Sequence, residues 1–208
     1  MLRIYGKGLR PAPGTHSLVT TLATFVAAMA VVDPELGAHA GRVALHAEAI
    51  AGRLGWEEEQ LEELRLGAAL HDVGKVNVPH AVLAKPGRLD AVERAQVQAH
   101  PVEGIWLIAG VRSLAPALPY VLFHHERWDG GGYPTRRAGR DIPLAGRVLA
   151  VADAFDAMTS SRPYRGPLGV DAALGEVKRC AGTQFDPEVA EAFLEAVRSG
   201  DVALAAAS

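Results

Sequence analysis

The sequence predicts an all-α protein. Apolar residues recur every three or four positions along most of the chain, as in residues 43–54, which is the period of a helix with one buried face. Helix-start signals agree, because Asp90 is followed three positions later by Glu93, and Asp186 is followed directly by Pro187. No segment shows the convincing alternation of apolar and polar residues that a half-buried strand would have.

Composition narrows the class of protein further. The 208 residues are enough for one domain with a core of its own, and a hydrophobic content of 49% is ordinary for a globular protein. Lys and Arg number 21 against 24 Asp and Glu, and this net charge of −3 argues against binding to a nucleic-acid polymer. A single cysteine, Cys180, excludes an intrachain disulfide and fits a reducing compartment, so we expect a cytoplasmic protein.

One apolar segment, Leu18 to Val32, superficially resembles a secretory signal because basic residues precede it. It is too short to cross a bilayer as a helix. Its larger apolar residues recur at helical spacing, which favours an amphipathic core helix. We therefore expect no membrane association.

Two further helices are predicted in the first third of the chain. Residues 1–14 contain three glycines and two prolines and are expected to form a loose leader. A helix is predicted from about Gly37 to Gly55. The acidic run at 57–59 favours the N-terminus of the next helix, which Gly74 is placed to end.

Four more helices are predicted in the rest of the chain. Pro101 is expected to stop or kink the first of them, because proline lacks a backbone N–H. The glycine-rich segment 129–141 must be a loop. The helix from Leu144 to Met158 is almost entirely apolar and should be buried. The four helices begin at Asp90, at about Pro119 with both adjacent histidines on it, at Leu144 and at Asp186.

Histidines and aspartates interrupt this apolar pattern where a core residue would be expected. A lone histidine on an apolar face is more often a core residue than a ligand, and His16, His46 and His80 are assigned to that class. The others form a joint pattern of imidazoles and carboxylates without a thiolate, which is what a di-metal hydrolase uses to hold hard or borderline cations. The candidate ligands are His39, His71, Asp72, His100, His124, His125 and Asp153.

Two aspartates lie inside the apolar helix 144–158. A buried carboxylate is costly unless it meets a cation or several donors. Asp153 is interpreted as a metal ligand, with an ion pair to Arg147 or another arginine as the alternative. Asp156 is interpreted as a residue that orients a ligand, because metal-binding histidines need such partners.

The ordered motifs resemble those of the HD-GYP family, a branch of the HD-domain metal-dependent phosphohydrolases. Residues 70–75 match its HD-x-G-K block, and residues 124–134 contain the HHE-x-WDG-x-GYP block intact. Ser161–Arg165 and residues 182–187 match two later blocks. The resemblance covers about residues 15–199, which we expect to be the catalytic domain, followed by a tail at 200–208.

The resemblance implies an all-helical fold with a five-helix HD core, additional C-terminal helices and the GYP loop beside the metals. It implies hydrolysis of cyclic di-GMP with iron or manganese, and it makes the seven candidates metal ligands, with Asp72 bridging two ions. Asp72 and Lys75 are the expected catalytic residues. The residues expected to face the nucleotide are Lys75, Gly132, Tyr133, Arg162 and Arg165.

A third metal is a further expectation. Glu35 lies four residues before His39, so one helical face could direct both side chains to one cation. Some members of the resembled family carry Glu here and hold three metals. The alternative is that Glu35 is an acid in the first turn, favoured there by the helix dipole.

The expected function is therefore a phosphodiesterase that converts cyclic di-GMP to pGpG, with onward cleavage to GMP left open. One alternative is a non-catalytic cyclic-dinucleotide receptor or adaptor, although an intact ligand set argues against it. Another is an HD phosphohydrolase that acts on a different cyclic dinucleotide, such as cyclic GMP-AMP. A homodimer or a signalling-protein partner is also compatible with the sequence.

Overall fold

A computed structural model describes residues 34–160 and 166–202, with side chains described from Gly37 onward. The predicted all-α class is confirmed: the described residues form nine α-helices and three short 3-10 helices, with one isolated bridge between Ala181 and Phe185 and no strand. No helix in these ranges is both long enough and apolar enough to span a membrane. The helices are α1 (Pro34–Arg53), α2 (Glu58–Leu70), α3 (His80–Leu83), α4 (Ala91–Gln98), α5 (His100–Ile108), α6 (Leu118–Phe123), α7 (Leu144–Thr159), α8 (Val170–Arg179) and α9 (Pro187–Arg198). The 3-10 helices are Val73–Asn77, Arg112–Ala117 and Gly139–Asp141.

The largest core lies where α1 packs against α2, α7 and α9. Ile50, Leu64, Phe155 and Phe193 are among the largest side chains that it buries completely or almost completely. A smaller cluster around Leu70 joins the end of α2 to α5 and α6. The metal-ligand candidates on α1, α2 and α7 therefore belong to packed helices and not to surface loops.

Predicted helix starts are confirmed by the hydrogen bonds that cap them. The Asp90 carboxylate accepts from the backbone N–H of Val92 at 2.8 Å and of Glu93 at 2.9 Å, while the Glu93 carboxylate accepts from the N–H of Asp90 at 2.8 Å. Asp186 caps α9 by accepting from the backbone N–H of Glu188. Each bond satisfies a donor that the first helical turn leaves open.

Pro101 acts as a helix boundary, because α4 ends at Gln98 and α5 begins at His100. Pro101 occupies the first turn of α5, where its missing N–H costs nothing. The break turns the chain, so that His100 starts a new helix in the interior.

Gly74 does not end a helix, contrary to the prediction. Helix α2 ends at Leu70, and Gly74 lies within the 3-10 helix that follows. A Cβ atom at Gly74 would lie 2.0 Å from the carbonyl oxygen of His100 and 2.5 Å from the backbone nitrogen of Gly104. A glycine is needed here because the 3-10 helix and α5 approach each other through their backbones.

Helix boundaries also differ from the prediction in two other places. Helix α1 begins at Pro34, before the expected Gly37, because proline is well suited to the first turn. Helix α6 ends at Phe123, so the prediction that it carries both adjacent histidines was wrong. The chain folds back there, since the backbone N–H of Tyr133 donates to the carbonyl of His125 at 3.2 Å.

Replacement of Gly74 by alanine should destabilise the protein by about 1–3 kcal/mol, because the new methyl group forces packed backbones apart. The matched control is Gly175→Ala in α8, where an added Cβ meets no described atom within 4 Å and should be neutral or stabilise by about 0.5–1 kcal/mol. Urea unfolding of both variants in metal-free buffer measures the effects. Equal stabilities would contradict the close approach at Gly74.

His46 makes the protein sensitive to acid. It is 8% exposed, its ring lies against Phe155 and Phe193, and its Nδ1 has no hydrogen-bond partner within residues 34–160 and 166–202. Burial lowers the pKa of His46 below its ordinary 6.5. The folded state therefore binds fewer protons than the unfolded state below pH 6.5, and stability falls as the pH drops through that window.

The change His46→Leu should raise the melting temperature, and the gain over the parent should grow as the pH falls from 7 to 5. Thermal unfolding of both proteins across this range checks the prediction. A constant difference between the two melting temperatures would show that the protonation of His46 does not oppose folding.

Candidate metal centre

The structure brings the seven candidate ligands that it describes into one interior region. Asp72 is at its centre, with a side chain that is almost completely buried. The seven residues come from three helices and from the turns that follow two others. They are His39 on α1, His71 and Asp72 after α2, His100 at the start of α5, His124 and His125 after α6, and Asp153 on α7.

The two oxygens of Asp72 face different histidines. Oδ2 lies 3.4 Å from Nε2 of His71 and 3.8 Å from Nε2 of His39. Oδ1 lies 3.3 Å from Nε2 of His100 and 3.8 Å from Nε2 of His124. Asp72 thereby belongs to two groups of residues whose ligand atoms could meet at a cation, and His125 completes the second group. This is the arrangement required of a bridging carboxylate.

Three of the histidines share one local geometry. Nδ1 of His71, His100 and His124 lies 2.7–3.0 Å from the carbonyl oxygen three residues earlier in the chain. Because a carbonyl oxygen can only accept, each Nδ1 carries the proton and each Nε2 presents its lone pair. A metal-binding histidine is commonly held in one tautomer by such a bond.

These lone pairs are close enough to require a cation or a proton between them. Nε2 of His100 lies 3.1 Å from Nε2 of His124. Burial lowers the pKa of His124 well below 6.5 and that of His125 to about 3, so both rings are neutral at pH 7. Neutral imidazole is the form that binds a metal.

Two buried atoms at the centre have no hydrogen-bond partner among the described residues. They are Nε2 of His71 and Oδ1 of Asp72. An unsatisfied buried polar atom costs about 1–3 kcal/mol, so such atoms normally have a ligand, ion or water. Together with the mixed imidazole and carboxylate donors, they fit a divalent cation better than a purely structural network.

His39 is oriented by an aspartate, as predicted for Asp156. Nδ1 of His39 donates to Asp156 at 2.7 Å, and Arg42 donates to both oxygens of the same carboxylate at 2.6 and 3.2 Å. Burial opposes protonation of His39, but its hydrogen bonds to Asp153 and Asp156 raise its pKa to about 9. The Asp156 bond leaves Nε2 of His39 directed towards Asp72 and Asp153.

Asp153 lies beside the first group of ligands. Its Oδ1 is 3.3 Å from Nε2 of His39. Arg147, the arginine considered as an alternative partner, instead bonds Asp186 at 2.5 Å and the carbonyl of Ile142 at 2.8 Å. The pairing of Asp153 with Arg147 is therefore not formed, and the carboxylate remains at the candidate metal centre.

Lys75 contacts the candidate bridging carboxylate. Its Nζ donates to Oδ2 of Asp72 at 2.5 Å. Burial alone would raise the pKa of Asp72, but the charge of Lys75 holds that pKa well below its ordinary value. Asp72 is therefore an anion at neutral pH and available to a cation.

The GYP loop, which is the glycine-rich segment 129–141 with Gly132 and Tyr133, lies beside the second group. The ring of Tyr133 stacks on that of His125, with centroids 4.8 Å apart. At Gly132 a Cβ atom would lie 2.4 Å from the backbone nitrogen of Arg127, so the glycine is required for packing inside the loop. Its predicted contact with a nucleotide remains a prediction.

Three other predicted site residues lie outside the described side chains. Glu35 is within α1, but the structure describes side chains only from Gly37. Arg162 and Arg165 fall in the segment 161–165, which is also outside the described residues. The third-metal and nucleotide-binding roles predicted for them remain predictions.

Sequence reasoning missed the role of Glu126, which is 3% exposed. Its Oε1 accepts from the backbone N–H and hydroxyl of Thr135, at 2.6 and 2.8 Å, and from the N–H of Arg136 at 3.1 Å. These bonds join Glu126, at the start of the loop that carries Tyr133, to Thr135 and Arg136 after it. The only available signal was a charged residue directly after the histidine pair.

An open pocket of about 250 Å³ adjoins the centre. It extends from the candidate ligands to polar side chains on α4 and near residue 184. Its lining comprises Gln98, His124, His125, Glu126, Arg127, Gly131, Gly132, Tyr133, Ala150, Asp153, Ala154 and Gln184. A ligand in this pocket would therefore touch the candidate metal ligands directly.

Asp156→Asn should lower metal affinity by about 10–100-fold, because an amide holds the Nδ1 proton of His39 less strongly than a carboxylate does. The control is Asp171→Asn, an exposed aspartate on α8. Titration of both variants and the parent with manganese gives the affinities. Parent-like affinity in Asp156→Asn would contradict the orienting role.

Comparison with known proteins agrees with this geometry. The HD domain family model matches residues 25–189. The chain is 40% identical over 183 residues to the 3′3′-cGAMP-specific phosphodiesterase 2 of Vibrio cholerae, covering 87% of this chain and 34% of that protein. It is also 40% identical over 167 residues to the cyclic di-GMP phosphodiesterase of Thermotoga maritima, covering 78% of this chain and 45% of that protein.

Solved structures show the same fold. The HDG"Y"P protein Bd1817 of Bdellovibrio bacteriovorus matches with a TM-score of 0.64 at 18% identity, over 77% of this chain and 51% of that one. The chain spans less than half the length of the two curated relatives. The resemblance to HD-GYP proteins is confirmed, and the chain belongs to the HD domain family.

Proposed function

We propose that this chain is a metal-dependent phosphodiesterase that opens cyclic di-GMP to linear pGpG. The observation that carries the proposal is the position of Asp72 between two groups of histidines, one facing each carboxylate oxygen. A phosphodiester is anionic and resists attack by water, so its hydrolysis requires concentrated positive charge at the phosphate. The buried ligand set is suited to hold that charge.

Two divalent ions are the cofactors that fit best. His39, His71, Asp72 and Asp153 would hold one, and Asp72 with His100, His124 and His125 would hold the other. Bound cations supply Lewis-acid charge to the phosphate and lower the pKa of a water, which makes it a nucleophile. Imidazole and carboxylate donors are compatible with iron or manganese, which the family resemblance favours. Glu35 is the candidate ligand for a third ion.

The protein residues supply position and shape around these ions. Lys75, already paired with Asp72, brings a positive point charge to the centre and is the candidate contact for a phosphate oxygen. The Tyr133 ring, fixed against His125, offers an aromatic surface beside the pocket. Arg162 and Arg165 complete the proposed nucleotide contacts, with planar groups that can bind phosphate or a guanine edge.

The names of the relatives support a cyclic dinucleotide as substrate. The relative from Thermotoga maritima is named for cyclic di-GMP, and the one from Vibrio cholerae for 3′3′-cGAMP, at the same 40% identity. Cyclic GMP-AMP is therefore the second candidate substrate. A non-catalytic receptor is disfavoured by the intact ligand set, and a partner subunit or signalling protein remains compatible with the proposal.

Hydrolysis by the parent protein and loss of hydrolysis in Asp72→Asn test the proposal. The amide cannot serve as an anionic bridge, so turnover should fall by more than about 100-fold, beyond the effect of losing a residue that only orients a ligand. Protein loaded anaerobically with iron or manganese is incubated with cyclic di-GMP and cyclic GMP-AMP, and products are separated by chromatography.

Asp171→Asn serves again as the control and should retain parental turnover. Circular dichroism should show the same helix content in all three proteins. Binding of cyclic di-GMP by the metal-loaded parent without any product would support a receptor and contradict the proposed enzyme. If GMP is detected as well as pGpG, the protein also cleaves the second phosphodiester bond.

A further inference from the structure

The pocket has two chemically different sides. One consists of candidate metal ligands, including His125 and Asp153. The other presents the side chains of Gln98, Arg127 and Gln184, to which the proposed catalysis gives no role. Glutamine amides are neutral and both donate and accept hydrogen bonds. Such groups suit the edge of a neutral base better than an anionic phosphate.

Arg127 is a fixed donor and not a free positive charge. Its Nε and Nη2 donate to the two oxygens of Asp129, at 3.0 and 2.6 Å. The same carboxylate accepts from the backbone N–H of Gly131 at 2.9 Å. The guanidinium keeps its charge, which Asp129 balances, and it is held in one orientation in which Nη1 donates to Oε1 of Gln184 at 3.3 Å.

This contact sets the orientation of the Gln184 amide. Arginine can only donate, so the amide oxygen faces Arg127, and Nε2 is the atom left to a ligand. The backbone carbonyl of Gln184 accepts from the N–H of Trp128 at 3.1 Å, which ties the residue to the loop after the histidine pair. Gln184 therefore offers its amide N–H groups as donors, while Arg127 holds its side chain and Trp128 holds its backbone.

A donor held in one orientation, such as the Gln184 amide, can distinguish guanine from adenine. Guanine presents two acceptors, O6 and N7, along one edge. Adenine presents N7 beside the donor N6. The two N–H groups of the Gln184 amide can therefore donate to O6 and N7 of guanine, whereas on adenine only N7 accepts and N6 is a further donor.

Gln98 faces the same space from α4. It is the last residue of that helix, two positions before His100. The pocket volume of about 250 Å³ is below the range of ~300–1,000 Å³ that encloses a drug-sized ligand. This space suits one base next to the reacting phosphate, with the rest of the dinucleotide outside.

We infer that Gln98 and Gln184, the latter held by Arg127, bind a purine base next to the phosphate that is cleaved and favour guanine there. The inference rests on the proposed function and adds the residues that select the base. It assigns Gln98 and Gln184 to substrate binding and Arg127 to positioning.

Two substitutions test the binding roles of Gln98 and Gln184 without altering the candidate ligands. Gln98→Ala removes one amide from the pocket, and its matched control is Gln96→Ala, an exposed glutamine on the same helix outside the pocket lining. Gln184→Glu keeps the shape but replaces the donor with an acceptor, which opposes O6 and N7 of guanine. Metal content is measured in every variant, to show that the centre is retained.

The readouts are KM and kcat for cyclic di-GMP, and the inhibition constant of cyclic di-AMP as a competitor. Both pocket variants should raise KM by about 10-fold, within the ~5–150-fold of a good base contact, with kcat changed by less than about 3-fold. Gln184→Glu should also lower the preference for cyclic di-GMP over cyclic di-AMP by about 10-fold. Gln96→Ala should match the parent.

Unchanged KM and unchanged preference in both variants, with full metal content and an active parent, would overturn the inference and leave the proposed function intact. A fall in kcat alone, at parental KM, would also overturn it, because base binding would not be affected. A parent that hydrolyses no cyclic dinucleotide would instead overturn the proposed function, and this inference with it.

Discussion

The structure depends on one buried charge, the carboxylate of Asp72. A buried anion is expensive unless cations and hydrogen bonds surround it. Lys75 supplies one positive charge on Oδ2, while four histidine nitrogens lie within 3.8 Å of the two oxygens. Several helices and the turns after them converge to deliver those histidines. The clustering of these histidines around Asp72 is explained if divalent ions bind there and balance the negative charge of the carboxylate.

Close backbone packing allows this convergence. Gly74 and Gly104 leave no room for side chains where the 3-10 helix after Asp72 meets α5. A Cβ at Gly104 would lie 2.7 Å from a methyl group of Val121, which also brings α6 close. The two glycines therefore hold Asp72 and His100 on adjacent turns. The packing of these helices therefore determines the positions of the candidate ligands. A substitution that moves the helices should also change metal binding.

The sequence was sufficient to predict the fold class and the ligand candidates, because polar residues in apolar helices are costly without a function. It also located helix starts, since Asp90 and Asp186 act through neighbours two or three residues away. It could not predict contacts between distant segments. The packing of Gly74 on α5 and the contact of Arg127 with Gln184 depend on residues far apart in the chain. Glu126 was missed because its partners lie across a loop whose path was unknown.

Anomalous diffraction from crystals of the manganese-loaded protein would show whether Asp72 bridges two metal ions. Two anomalous peaks are expected on either side of Asp72, each within coordination distance of one of its oxygens. His39 and His71 should contact one peak, and His100 and His124 the other. A single peak, or two peaks with Asp72 bound to only one, would contradict the bridging role from which the proposed function follows.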